Sequence, residues 1–179
     1  LATSSAASDV YKRQLRTPPT SMEDRAPLSV QEEYAPSSIC FGCGPSNEKG
    51  LKIRSFRKRN GLTMEFNAEE HHQAFPGMVN GGIIGSILDC HGNWTAAIAL
   101  MDQGDLTEPP CTVTASYSVS LRRPTPNDKI LKIDSEVVEL LPDRAKIRMS
   151  LTCGDKLCAT GEGLFVAVAE GHPAYHRWN

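Results

Sequence analysis

Residues 80–101 read NGGIIGSILDCHGNWTAAIALM, and the folding of this stretch decides the rest. From Gly82 to about Met101, apolar residues lie at helical spacing on nearly every side: Ile83, Ile84, Ile87, Leu88, Trp94, Ala96, Ala97, Ile98, Ala99 and Leu100. A helix apolar all round must be covered all round. At 1.5 Å per residue it would be about 30 Å long. One position breaks the pattern. Asp89 falls in its middle, and a buried ionised carboxylate is costly unless it is paired or hydrogen-bonded. Its neighbours at helical spacing, Gly85, Ser86 and Asn93, include no cation. Desolvation should therefore raise its pKa, which makes it a candidate general base or nucleophile. The other reading is an Asp on a solvated stripe, or one bonded to Ser86 and a backbone group; spacing alone does not choose between them.

Working outward, the flanks read as strands. Residues 51–56 alternate Leu51, Ile53, Ser55. Asn60-Gly61 is a two-residue hairpin signal, and residues 62–67 return with Leu62, Met64 and Phe66 alternating. Residues 68–79 read as a loop. Beyond the helix come four β-type runs at 111–122, 129–140, 144–153 and 156–169. Pro- and Gly-containing turn signals separate them at 124–128, 142–143 and 154–155. These connections are too short for crossover helices, so the strands should be antiparallel. One long helix that needs cover and one sheet to supply it predict an α+β fold in which the sheet curls around the helix.

The ends add little to that core. Residues 1–14 (LATSSAASDVYKRQ) are small and polar, and residues 4–14 resemble a translated sequencing adapter; the stretch is set aside. Residues 15–38 are expected to form a tail with a short helix near Ser29–Glu33, residues 39–169 the domain, and residues 170–179 a second tail. The 179 residues carry 19 Lys+Arg against 21 Asp+Glu, a formal charge of -2. That balance argues against nucleic acid as a partner, because phosphate binding needs a basic excess. No apolar run reaches the roughly 18 residues of a membrane span, and no secretory signal is visible. The expectation is a cytoplasmic protein with no membrane partner.

Asn80-Gly81-Gly82 opens the helix. Glycines let another group approach the backbone, and free amides at a helix start favour developing negative charge, such as a thioester carbonyl becoming an oxyanion. Equally, Asn80 could be a plain N-cap and the glycines loop punctuation. Taken together, FPGMVNGGIIGSILDCHGNWTAA followed by TVTASYSVSLRRPTP resembles the PaaI-like hotdog-fold acyl-CoA thioesterases over about residues 40–168. The resemblance implies a buried helix wrapped by an antiparallel sheet, and at least a homodimer, with a tetramer open. It implies that the Gly82 amide polarises the thioester carbonyl. It also implies that Asp89, from the other subunit, activates water or attacks. Thr114 matches an auxiliary position, and Gly81 shares the glycine turn. Arg122 and Arg123, with Pro124, resemble a basic element near the CoA phosphates; an exposed strand end is the alternative. Where the family carries His before the two glycines, this chain has Asn80, which donates hydrogen bonds but does not titrate. His72 and Gln73 are close enough in the loop to face the site, and Ser86 lies one turn before Asp89. His91 points to another face of the helix and reads as packing or a hydrogen bond.

Cys40-Phe41-Gly42-Cys43 is a C-x-x-C knuckle, but zinc needs two further ligands; Cys153 and Cys158 form a C-x4-C across a hairpin, His172 and His176 lie near the end, and no second C-x-x-C exists. A tight turn with reduced thiols is the expected role, so the expected site contains no metal and the reaction no cofactor. The function that follows from the resemblance is hydrolysis of an acyl-CoA thioester to CoA and a carboxylic acid. The alternatives are a non-catalytic acyl-CoA-binding protein, favoured by Asn80, and a hotdog dehydratase or hydratase.

Overall fold

The computed structural model describes residues 27–178. The adapter-like stretch and the first part of the expected N-terminal tail lie outside them. In chain order the elements are α1 (Val30–Tyr34), β1 (Phe56–Lys58), β2 (Gly61–Phe66), a 3-10 turn (Glu70–His72), β3 (Gln73–Phe75) and β4 (Met78–Val79). Then follow α2 (Gly81–Gln103), β5 (Thr112–Leu121), β6 (Leu131–Leu141), β7 (Arg144–Cys153) and β8 (Lys156–Ala167).

Six strands form one antiparallel sheet in the order β1-β2-β6-β7-β8-β5. The helix α2 packs on β2 and on all of β5 to β8. The reason is the pattern read from sequence: Ile84, Ile87, Leu88, Trp94, Ala96, Ala97 and Leu100 are all buried. The sheet supplies the matching face, with Ala145, Ile147, Met149 and Leu151 pointing inward at every second position of β7. Gly92 sets the closeness of this packing. A Cβ there would overlap Phe165 Cζ at 2.7 Å and Met149 Sδ at 2.5 Å. The α+β hotdog architecture expected from the sequence is the one observed.

Some boundaries differ, for local reasons. The Asn-Gly hairpin closes with Lys58 opposite Gly61, so its two loop residues are Arg59 and Asn60 and Gly61, at φ 140°, begins the return strand. The strand expected over 51–56 shortens to Phe56–Lys58. Leu51, Ile53 and Ser55 are buried alternately as expected, but among the described residues no strand pairs with them. Instead Leu51 N donates to Phe41 O (2.8 Å) and Ile53 N to Gly42 O (3.0 Å), so the cysteine knuckle replaces a strand. The loop before α2 contains the small β3–β4 hairpin.

Both ends of the described chain return to the body. Ser29 caps α1 in a reciprocal capping box with Glu32. Gln31 is buried and bonds Ser55 in both directions. In the stretch read as a C-terminal tail, Trp178 stacks on Trp94 with ring centres 4.3 Å apart and donates to Pro110 O. Among the described residues no helix is long and apolar enough to cross a membrane.

Candidate active site

Asp89 lies half-buried on α2. Thr114 Oγ1 on β5 donates to Asp89 Oδ1 at 2.7 Å. Burial pushes the Asp89 carboxyl above the ordinary carboxylate range; the Thr114 hydrogen bond and the Arg177 charge pull the other way, and Cys40 adds to the rise. The register of β5 on β8 shifts between Thr114 and Ser116. Such a bulge re-aims a side chain, and here the residue beside it faces the carboxylate.

Behind Thr114 runs a chain of polar contacts. Asn93 Nδ2 points to Thr114 Oγ1 (3.4 Å), Thr112 Oγ1 donates to Asn93 Oδ1 (2.8 Å), and Arg177 Nη1 donates to Thr112 O (2.7 Å). Asn93 is four residues after Asp89, so helical spacing placed it on the same face; its partnership with Thr112 carries no sequence signal. Arg177 sits 88 residues beyond Asp89 in the chain and was invisible from sequence.

Asn80 is the N-cap of α2: its Oδ1 accepts from Gly82 N at 2.7 Å. The amide that the resemblance assigns to the thioester carbonyl is thus capped by Asn80 in this single chain. Ser86 Oγ donates to Gly82 O (3.0 Å), one turn back, so it braces the glycine turn and does not bond Asp89. Seven residues separate Gly82 from Asp89, about 10 Å along a helix. One subunit's carboxylate therefore does not reach its own glycine turn.

His72 is buried, with Nδ1 accepting from Glu69 N (3.0 Å) and its ring 5.7 Å from that of Phe66. It meets Asn80 only through its backbone carbonyl, which accepts from Asn80 N (2.8 Å). Gln73 bonds Glu70 O and Gly77 N, bracing the β3–β4 turn. Arg123 Nη1 donates to Leu157 O (2.8 Å), and Arg122 Nε reaches Thr160 Oγ1 (3.4 Å); both are exposed. Beside them a cleft of about 330 Å³ is lined by Phe75, Val79, Gly81, Leu121, Arg123 and Thr125. Thr125 Oγ1 is the one buried side-chain oxygen or nitrogen without a partner among the described residues. A wider groove of about 430 Å³ lies toward the other end of α2, along Arg57, Ile98 and Asp102. Two of its cations are paired, Arg57 with Asp102 (2.8 Å) and Lys58 with Asp134 (3.0 Å).

His91 is fully buried. It contacts Ser55 Oγ (2.8 Å), Leu62 O (3.3 Å) and Ser135 Oγ (3.1 Å), tying α2 to the sheet. The sequence also missed a cluster: Cys90, beside Asp89, joins Cys40 and Cys43, with Cys40 Sγ and Cys90 Sγ 3.9 Å apart. The Cys40 thiol, and then burial, push Cys43 up to about 11 against the opposing pull of Cys90 and Trp94, while the Cys43 and Cys90 thiols lower Cys40.

No model of a known protein family matches the chain. Solved structures do resemble it. A thioesterase superfamily protein from Shewanella loihica is 28% identical, over 65% of this chain and 91% of its own, with a TM-score of 0.56. A phenylacetic acid degradation-related protein from Ralstonia eutropha is 18% identical, over 65% and 86%, with a TM-score of 0.54. In sequence, a 3-hydroxybutyryl-CoA dehydratase from Methylorubrum extorquens is 33% identical over 76 residues, 41% of this chain and 48% of that protein. The chain thus spans about half the length of that curated relative. Fold and comparisons agree: the chain has the hotdog fold, and in structure it is similar to thioesterase superfamily proteins.

Proposed function

We propose that this protein hydrolyses an acyl-CoA thioester, with a site completed by two copies of the chain. The observation that carries the reading is Asp89: a carboxylate with no cation bonded to it among the described residues, half-buried on the central helix and held by Thr114. In the proposed step Asp89 accepts a proton from water as the water oxygen bonds to the thioester carbon. The tetrahedral oxyanion collapses, the carbon–sulfur bond breaks, and the leaving thiolate takes the proton back from Asp89. The products are a carboxylic acid and CoA. The first-turn amides of α2 supply charge stabilisation at the carbonyl oxygen. For Gly82 this requires Asn80 Oδ1 to swing away, at a cost of about 1 kcal/mol for one neutral hydrogen bond; the freed Asn80 side chain then has an amide donor for the same oxygen.

Two features support the two-chain site. Within one subunit Asp89 and Gly82 are too far apart along α2 to meet at one carbonyl. And among the described residues β5, ten residues long, pairs only with β8, which leaves its other edge open there with Tyr117 and Leu121 exposed. An unpaired edge of that length is a template for a second strand. The acyl-CoA would lie with its acyl end toward Asp89 and its phosphates toward Arg122 and Arg123. The cleft beside Gly81 and the unpartnered Thr125 hydroxyl support that direction.

The partial sequence match to a 3-hydroxybutyryl-CoA dehydratase favours a second reading, dehydration or hydration of an acyl-CoA. One assay separates the two. The purified chain is given a panel of short, medium, long and aryl acyl-CoAs and 3-hydroxybutyryl-CoA, and both free thiol and enoyl absorbance are followed. Thiol release that Asp89→Asn abolishes is the expected result. Enoyl formation without thiol would select the dehydratase, and tight binding with neither product a non-catalytic acyl-CoA-binding protein.

A further inference from the structure

We propose that Cys40, Cys43 and Cys90 form a binding site for a thiophilic divalent cation of the zinc type, which staples the segment before β1 to the helix carrying Asp89. All three sulfurs lie within 4.8 Å of one another, and Cys40 Sγ and Cys90 Sγ are 3.9 Å apart. A tetrahedral zinc–thiolate centre with bonds of about 2.3 Å holds its sulfurs about 3.8 Å apart. The cluster thus needs only small adjustments to close on an ion.

The surroundings are those of a built site. Cys40-Phe41-Gly42-Cys43-Gly44 folds as a knuckle, with Gly44 N donating to Cys40 O (2.9 Å). Trp94 Nε1 donates to Cys43 Sγ (3.2 Å). Donors aimed at sulfur stabilise thiolates, the form that binds metal. Two positions admit nothing larger than glycine. A Cβ at Gly42 would overlap Cys90 Sγ, and one at Gly44 would run into Ser38 O and the Cys40 backbone. Gly42 is thus what lets the third sulfur reach the knuckle.

Three thiolates leave a fourth position. Cys40 is the half-buried member, while Cys43 and Cys90 are 1% and 9% exposed. The fourth ligand is therefore taken to be solvent on the Cys40 side. The other three cysteines serve as internal controls: Cys111 precedes β5, Cys153 ends β7 and Cys158 lies in β8, and none belongs to the cluster.

The test uses the reduced full chain with Co2+ alone, then Zn2+ alone. One Co2+ per chain should bind and give the thiolate-to-cobalt charge-transfer band and the strong visible bands of a tetrahedral site. Zn2+ should displace it, and elemental analysis should then find one zinc. Cys90→Ser and Cys40→Ser should lose the bands, and Cys111→Ser should keep them. Alkylation of the wild-type chain followed by mass spectrometry needs no variant: Zn2+ should protect Cys40, Cys43 and Cys90 but leave Cys111 reactive. Absence of tetrahedral bands in the reduced wild type, bands that survive Cys90→Ser, or unprotected thiols would each overturn the site. A Cys40–Cys90 disulfide re-forming in the presence of Zn2+ would show the pair to be redox-active and would also overturn it. None of these readouts depends on thioester hydrolysis, so this site and the proposed activity fail independently.

Discussion

Thr114 on β5 and Asp89 on α2 are joined by a 2.7 Å hydrogen bond from the Thr hydroxyl to the carboxylate. That bond fixes the direction of the only acidic side chain in the long central helix before its last turn. Asp89→Asn should abolish thiol release while leaving the circular dichroism spectrum unchanged, since Asn keeps the size and the acceptor oxygen. Thr114→Val should have a graded effect. A hydrogen bond to a charged group is worth about 1.5–3 kcal/mol, so kcat should fall about ten- to hundred-fold with a small change in KM. Wild-type rates in Asp89→Asn would remove the basis of the proposed mechanism.

The open edge of β5 bears on assembly. The wild-type chain should sediment as a dimer or a multiple of one. Ser118→Pro places a residue without an amide hydrogen in the middle of β5 and should yield smaller species together with lost turnover. A wild-type monomer with full thiol release would show that one chain suffices.

Gly92 tests the packing of helix on sheet. Gly92→Ala puts a methyl group against Phe165 and Met149, and overpacking of this kind costs about 1–3 kcal/mol. The urea midpoint should drop accordingly. An unchanged midpoint would show that α2 shifts freely over the sheet.

Thr125 offers the opposite sign. Its buried hydroxyl has no partner among the described residues, so Thr125→Val should stabilise the fold by about 1 kcal/mol by removing an unpaid desolvation cost. If that hydroxyl meets substrate in the cleft beside Gly81, KM should rise in the same variant. A destabilised Thr125→Val would mean that the hydroxyl is bonded in solution.

His72 should make stability depend on pH. Burial lowers its pKa below 6.5, His71 adds to the lowering and Glu69 opposes it. As pH falls, the unfolded chain therefore takes up the proton first. Stability is lost from about the unfolded value of 6.5 downward, and the loss levels off below the folded value. Urea midpoints at pH 7.5 and pH 5 should differ more for the wild type than for His72→Gln. Equal differences would place the pH dependence elsewhere.

Much of this architecture was legible because it rests on periodicity. The all-apolar run around Trp94, the alternation in 144–153 and the Asn60-Gly61 turn each report a local environment, and each corresponds to an element of the fold. The alternation of Leu51, Ile53 and Ser55 was equally clear, yet no strand lies beside them; alternation reports which face is buried, not what covers it. The candidate carboxylate stood out for the same reason, as a charge among apolar neighbours.

Sequence alone thus determined the buried helix, the antiparallel strands and the anomaly at Asp89, because hydrophobic patterning acts residue by residue along the chain. Tertiary structure decided which side chains surround that anomaly. Thr114, Asn93 and Arg177 meet behind Asp89, and Cys90 meets Cys40 and Cys43, across separations of 21 to 88 residues in the first group and about 50 in the second. A β5 bulge, a returning C-terminal segment and a glycine facing Cys90 Sγ create these meetings. Contacts between distant segments depend on how packed elements are placed in space, and no local pattern encodes that placement.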